Sequence, residues 1–163
     1  MKQFWLWLVA RFFKNWGHVS GPIYRSGQMG RFRLPFFVKR YKIETIIALN
    51  MDGSNNEERF EIEYCIQHGI RHIKYNWSAG ENNCPEQLNH VITVMEHSYN
   101  NNIPLLIHCA GGRDRTGGTI GVWAGLYQHI TKEYWMEMCC RHRIPAEGWL
   151  KEAFRSFKHG SDK

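Results

Sequence analysis

The apolar positions of this chain recur with two different periods, and the alternation between them predicts its architecture. Thr45-Ile46-Ile47-Ala48-Leu49 is a continuous apolar and β-branched run of the length of a buried parallel strand. Ile23–Arg25, Ile70–Tyr75 and Leu105–His108 read as further short strands. Between them the period lengthens. Leu88, Val91, Ile92 and Met95 fall on one face of a helix predicted over Pro85–Asn100. Leu34–Tyr41 is a second helix with Pro35 in its first turn, and Asn55–His68 a third, ended by Gly69. Three more helical segments lie near Thr119–His129, Thr131–Cys140 and Glu147–Lys158. Strands alternating with helices predict an α/β fold, a central and largely parallel sheet flanked by helices. No repeat, low-complexity stretch or linker interrupts the pattern. Residues 18–163 are therefore expected to form one domain behind an amphipathic segment at residues 1–17.

In that segment Phe4, Trp5, Leu8, Val9, Phe12, Phe13 and Trp16 lie on one helical stripe. The apolar run is too short to span a bilayer and lacks a small-residue cleavage site, so neither a transmembrane helix nor a signal peptide is expected. Two readings remain. The preferred one is a helix covering part of the domain's own core. The other is an interfacial helix that makes peripheral contact with an anionic membrane through Phe4–Trp16.

Charge narrows the ligand. The 163 residues carry 21 Lys and Arg against 15 Asp and Glu, a net charge of +6, which suits an acidic partner. Nucleic acid is not expected as a partner, because no Lys/Arg run is long enough to track a backbone and no nucleic-acid motif is present. Five cysteines, an odd number that includes the adjacent Cys139 and Cys140, argue against a disulfide framework and for a reducing, cytoplasmic setting. Cys65 reads as a small core residue, and Cys84 lies in a loop.

The chemistry concentrates in His108-Cys109-Ala110-Gly111-Gly112-Arg113-Asp114-Arg115-Thr116-Gly117, placed between a strand and a helix. A tight glycine-containing turn there aims successive backbone N–H groups inward and cradles an anion. Those donors, the helix dipole and a nearby arginine favour the thiolate of Cys109, the form that attacks. Arg115 offers a planar fork for two phosphoryl oxygens. Gly111 and Gly112 let the backbone approach the oxyanion closely. Thr116 can donate to the sulfur and ease its departure. Six residue types at these fixed places arise by chance about once in 10⁸ windows, so a structural cysteine beside a surface arginine is a poor alternative.

This stretch resembles the signature H-C-x-x-G-x-x-R-T/S-G of the cysteine-dependent protein tyrosine and dual-specificity phosphatases. Tyr24-Arg25-Ser26-Gly27-Gln28 is similar to a motif near the start of compact bacterial members. The resemblance spans roughly residues 20–130. It implies a phosphomonoester hydrolase that works through a cysteinyl-phosphate, with Cys109 as nucleophile, Arg115 as phosphate ligand and Thr116 supporting the leaving thiolate. His108, Ala110, Gly111, Gly112, Arg113 and Thr116 would form the phosphate-binding set. His108 would brace the loop through a backbone hydrogen bond. No cofactor and no metal is implied.

Many members of that family keep an acidic Asp on the loop after the strand that precedes the long helix. Here that loop, residues 76–84, contains no Asp, and Glu81 is its one carboxylate. Asp114 stands directly before Arg115, and G-x-D-R-T is similar to myotubularin-like lipid phosphatases in which this Asp is the acid. A carboxyl held against a phosphate dianion favours its protonated form, as a donor must. Asp114 is thus the expected acid and Glu81 the alternative. Asp52, in an Asp-Gly pair, reads as turn chemistry. Arg25 and Ser26 read as supporting structure. Arg113 resembles the second-phosphate ligand of phosphoinositide phosphatases, and is equally a solvated arginine. The expected substrate is a phosphorylated protein, with a phosphoinositide as the alternative; a non-catalytic phosphate-binding module is the reading from another class.

Overall fold

The computed structural model describes residues 14–78, 85–127 and 129–142, the last four as backbone. Five strands, β1 (Gly17–Ser20), β2 (Ile23–Gly27), β3 (Thr45–Ala48), β4 (Arg71–Lys74) and β5 (Leu105–Cys109), form one sheet in the order β1-β2-β5-β3-β4. The pairs β2–β5, β5–β3 and β3–β4 are parallel, and β1 closes one edge antiparallel to β2. The expected α/β fold with its largely parallel sheet is what the chain adopts. β1 escapes the sequence pattern because Gly-His-Val-Ser has little β propensity; a turn at Gly21, φ +51°, folds it back onto β2.

Among the described residues five helices cover the sheet: α1 (Leu34–Tyr41), α2 (Asn56–His68), α3 (Pro85–Asn100), α4 (Asp114–Tyr127) and α5 (Lys132–His142). Local chemistry sets their ends. Asn55 caps α2 by accepting from the N–H groups of Glu57 and Glu58, both at 3.0 Å, and Gly69 ends it in the left-handed region. The helix expected from Thr119 begins instead at Asp114. Gly117 and Gly118 read as loop, but burial of nearly the whole helix from Thr116 to Gly125 overrides their weak propensity. The helix expected over Glu147–Lys158 lies outside the described residues.

Strand alternation divides the core between the two faces. Ile47, Leu105 and Ile107 pack with Leu88, Val91 and Met95 of α3, Ile120 and Trp123 of α4, and Trp135 of α5. Ile46 and Leu106 pack oppositely, with Leu34 and Phe37 of α1 and Cys65 of α2. The sheet's middle strand, β5, is buried along its whole length and delivers the loop at its carboxyl end, where ligands of parallel sheets bind. Among the described residues no helix is long and apolar enough to cross a membrane.

Candidate active site

Period two along β5 sends consecutive side chains to opposite layers. Cys109 continues the Leu105–Ile107 face toward α4, while His108 continues the Leu106 face toward α2. Cys109 is 1% exposed, beside Gly27 of β2, with the loop 110–113 arching over it.

Three successive carbonyls of that loop are tied back to the scaffold. Ala110 O accepts from the Gln28 N–H at 3.2 Å, Gly111 O from the Asn15 amide at 2.6 Å, and Gly112 O from the buried guanidinium of Arg25. In a trans peptide the C=O and the following N–H point opposite ways, so anchoring each carbonyl outward turns the next N–H inward. The Arg113 N–H accordingly faces the Cys109 sulfur. Gly112 makes this path at φ +62°, lying so close to Ser26 and Gly27 that a Cβ has no room.

The thiol is tuned by these surroundings. Burial pushes Cys109 up, but the Thr116 hydroxyl and N–H, the Arg115 charge and the Arg113 N–H outweigh it, and the thiol ends below its usual range. The Thr116 hydroxyl is buried beside that sulfur. Cys65 is the contrast: burial and the Glu61 charge push it up to about 12, an inert thiol. Arg115 Nη1 donates to the Trp77 carbonyl at 2.6 Å, while its Nε is buried with no hydrogen-bond partner among the described residues. A buried N–H on a cation, beside a thiol with lowered pKa, is what an oxyanion ligand satisfies.

Not every expected residue sits where the motif suggested. Ala110, Gly111 and Arg113 are exposed at the mouth, and Asp114 heads α4, half-buried, one residue before Arg115. His108, grouped with the phosphate binders, does not line the mouth: it is buried on the other side of the sheet. Beside its contact with the Cys109 backbone it makes a side-chain hydrogen bond, Nε2 to Glu61 Oε1 at 2.8 Å. Glu81 and Cys84 lie outside the described residues. Asp52 accepts from the Ser54 N–H at 2.7 Å and shapes a turn. Of the Phe4–Trp16 stripe only Trp16 is described, stacked on Tyr24 and Phe37 within the domain.

Sequence reasoning passed over Asn15, Trp77 and Glu61. The first acts through an amide 96 residues from its partner and the second through a carbonyl, and neither leaves a sequence signal. Glu61 did leave one: Glu58, Glu61 and Cys65, at i, i+3 and i+7, share the buried face of α2.

Comparison with known proteins places this geometry. Residues 12–137 match the Tyrosine phosphatase family. The inositol diphosphatase SIW14 of Saccharomyces cerevisiae is 30% identical over 110 residues, covering 66% of this chain and 38% of SIW14. OCA1 of the same species, a candidate tyrosine-protein phosphatase, is 35% identical over 120 residues, covering 66% of this chain and 46% of OCA1. The chain thus spans about half or less of the length of these relatives. The core catalytic domain of SIW14 superimposes with a TM-score of 0.69 at 25% identity, over 83% of this chain and 82% of that one. PTPMT1 in complex with PI(5)P shares the fold, with a TM-score of 0.69 at 11% identity over 90% and 97% of the two chains. A family match across most of the chain, on a fold that builds a thiol, an arginine and an inward-facing amide loop at one strand end, shows that this chain belongs to the tyrosine phosphatase family.

Proposed function

We propose that this chain hydrolyses phosphate esters through a cysteinyl-phosphate. The observation that carries the reading is Cys109, its thiol lowered, beneath a loop with three successive carbonyls anchored away from it and beside an arginine whose buried Nε has no partner among the described residues. The Cys109 thiolate attacks phosphorus; an S–P bond forms as the bond to the leaving oxygen breaks. Asp114 gives its proton to that oxygen, with Glu81 the alternative donor. The loop N–H groups and Arg115 hold the equatorial oxygens as their charge grows. Water then attacks phosphorus, returning its proton to the carboxylate, and inorganic phosphate leaves as the thiolate is restored. Thr116 stabilises that departing sulfur.

Phosphate-rich small molecules of the inositol type are the favoured substrates. Arg113 is exposed at the mouth, and Lys14, whose carbonyl holds the Gly27 N–H, lines a cleft in which two further cations, Arg31 and Arg33, outnumber the carboxylate of Glu57. Several cations around one phosphate site match several phosphates on one substrate. The likeness to an inositol diphosphatase supports the same class. Phosphotyrosine in proteins is the second reading, supported by the family itself.

Initial rates on inositol pyrophosphates, short-chain phosphoinositides and phosphotyrosine peptides decide between them. A preference of at least about tenfold in kcat/KM for an inositol phosphate, lost on raising salt, is expected. Preference for the peptides transfers the assignment to the second reading. No turnover of any of these substrates, with phosphate still bound, makes the chain a binding module.

A further inference from the structure

Glu61 is a fully buried charged group near the site, and the mechanism above does not use it. Its side chain is fully buried on α2. Oε1 accepts from His108 at 2.8 Å and from His72 at 3.0 Å; Oε2 accepts from Gln28 at 2.7 Å. An anion buried this completely is tolerated only when paired and bonded on each side. Two of its partners carry the loop. His108 immediately precedes Cys109, and the Gln28 N–H holds the Ala110 carbonyl. The third, His72 on the edge strand β4, keeps 11% of its side chain exposed and joins the group to solvent.

We propose that Glu61 is a positioning residue of the catalytic loop: by accepting from both His108 and Gln28 it fixes the strand end and the first loop carbonyl together, and it keeps His108 cationic behind the nucleophile. The inference rests on the hydrolase reading only in calling Cys109 a nucleophile. Electrostatics give the direction. Burial pushes His108 down, but the Glu61 charge and hydrogen bond and the Cys109 contact outweigh it, so the imidazolium persists above its ordinary range. Glu61 is held at about 2: burial raises it, and the two histidines more than reverse that. The pair is neutral in sum, yet the cation adjoins Cys109 and the anion is one side chain farther, so the nearer charge decides and favours the thiolate. The other groups facing the carboxylate leave this unchanged. Gln28 is neutral, Cys65 stays protonated, and His72 adds a second donor. On the far side of Cys109 stands Arg115, with Asp114 before it, and Arg25 lies under Gly112.

Three measurements test it. In wild-type protein with ¹⁵N-labelled histidine, the His108 resonances, assigned by their absence from His108→Asn, should show both ring nitrogens protonated at pH 7. In Glu61→Gln, the pH midpoint for iodoacetamide alkylation of Cys109, read by mass spectrometry of its peptide, should rise by about one pH unit. The acid limb of kcat/KM should move with it, a tenfold loss on that limb, and Glu61→Asp should restore part of the shift. A neutral His108 in the wild type overturns the proposal even if no variant folds. So does a folded Glu61→Gln protein whose rate falls by the same factor at every pH with the alkylation midpoint unmoved, the mark of a structural role alone. Labelling and alkylation need no turnover, so an inactive protein that gives the expected titrations removes the hydrolase reading and leaves this one standing.

Discussion

Gly112→Ala puts the shape of the loop on trial at a single atom. Gly112 occupies φ +62°, a left-handed conformation that costs an L-residue about 1–2 kcal/mol. The added Cβ would fall inside van der Waals contact with Gly27 N and with the Ser26 carbonyl. Those are backbone atoms of β2, locked by parallel pairing to β5, and cannot give as a flexible side chain would. The loop must therefore lift, which breaks the bond from Arg25 to the Gly112 carbonyl. A hydrogen bond with a charged partner contributes about 1.5–3 kcal/mol, so the whole change destabilises by about 2.5–5 kcal/mol. A domain stable by about 5–15 kcal/mol still folds, with Tm lower by about 5–20 °C. The rate suffers more. Lifting the peptide after Gly112 turns the Arg113 N–H away from the sulfur, and losing one such donor costs about 10²–10³ in kcat. Gly111→Ala is the matched control. Among the described residues a Cβ there meets Arg113 Nε alone, at an ordinary 3.6 Å, so Tm should hold within about 2 °C and the rate within about tenfold. Initial rates on an aryl phosphate and thermal unfolding read both variants. Wild-type kcat/KM in Gly112→Ala, or equal damage from the two substitutions, would refute the reasoning.

Cys109→Ser should abolish turnover while phosphate still binds, because an alcohol there is scarcely ionised; substantial hydrolysis by it removes the cysteinyl-phosphate. Arg115→Lys should lose at least about 10²-fold in kcat/KM, since a point charge cannot replace the fork, and near-normal rates take Arg115 out of its role. Asp114→Asn should slow poor leaving groups far more than nitrophenyl phosphate and erase the alkaline limb of the rate profile; a larger leaving-group effect in Glu81→Gln moves the acid to Glu81. The buried pair also makes stability depend on pH. Glu61, lowered from 4.5 to about 2, contributes above pH 4.5 and loses that contribution as pH falls toward 2. His108, raised above 6.5, contributes fully below pH 6.5 and loses it as pH rises through its folded value. In a Cys109→Ser background, which removes the thiol's own titration, urea midpoints should peak between about pH 4.5 and 6.5. A midpoint still climbing past pH 7 contradicts the pairing.

Much of this protein is legible before any coordinates, because its determinants are local. The unbroken apolar run of Thr45–Leu49, buried on both faces, and the period of 3.6 in Pro85–Asn100 predict their elements, since local burial sorts the residues there. The loop chemistry is legible for the same reason: nucleophile, glycine and arginine are neighbours in the chain, held by one turn. Boundaries were less so. α4 begins at Asp114 because burial outweighs the low propensity of Gly117 and Gly118, a balance no local window contains. β1 exists only because β2 offers it hydrogen bonds. What holds the loop in shape was decided by tertiary structure alone. Arg25 and Gln28 reach it from the neighbouring strand β2 and its end, Asn15 from the segment before β1, and Glu61 reaches His108 from 47 residues away. On a helix a glutamate reads as solvated; burial between two strands turns it into a paired anion. Side-chain chemistry is written residue by residue along the chain. The carbonyls, buried charges and distances that tune it arise only where remote segments meet, because a thiol's ionisation depends on what surrounds it in space.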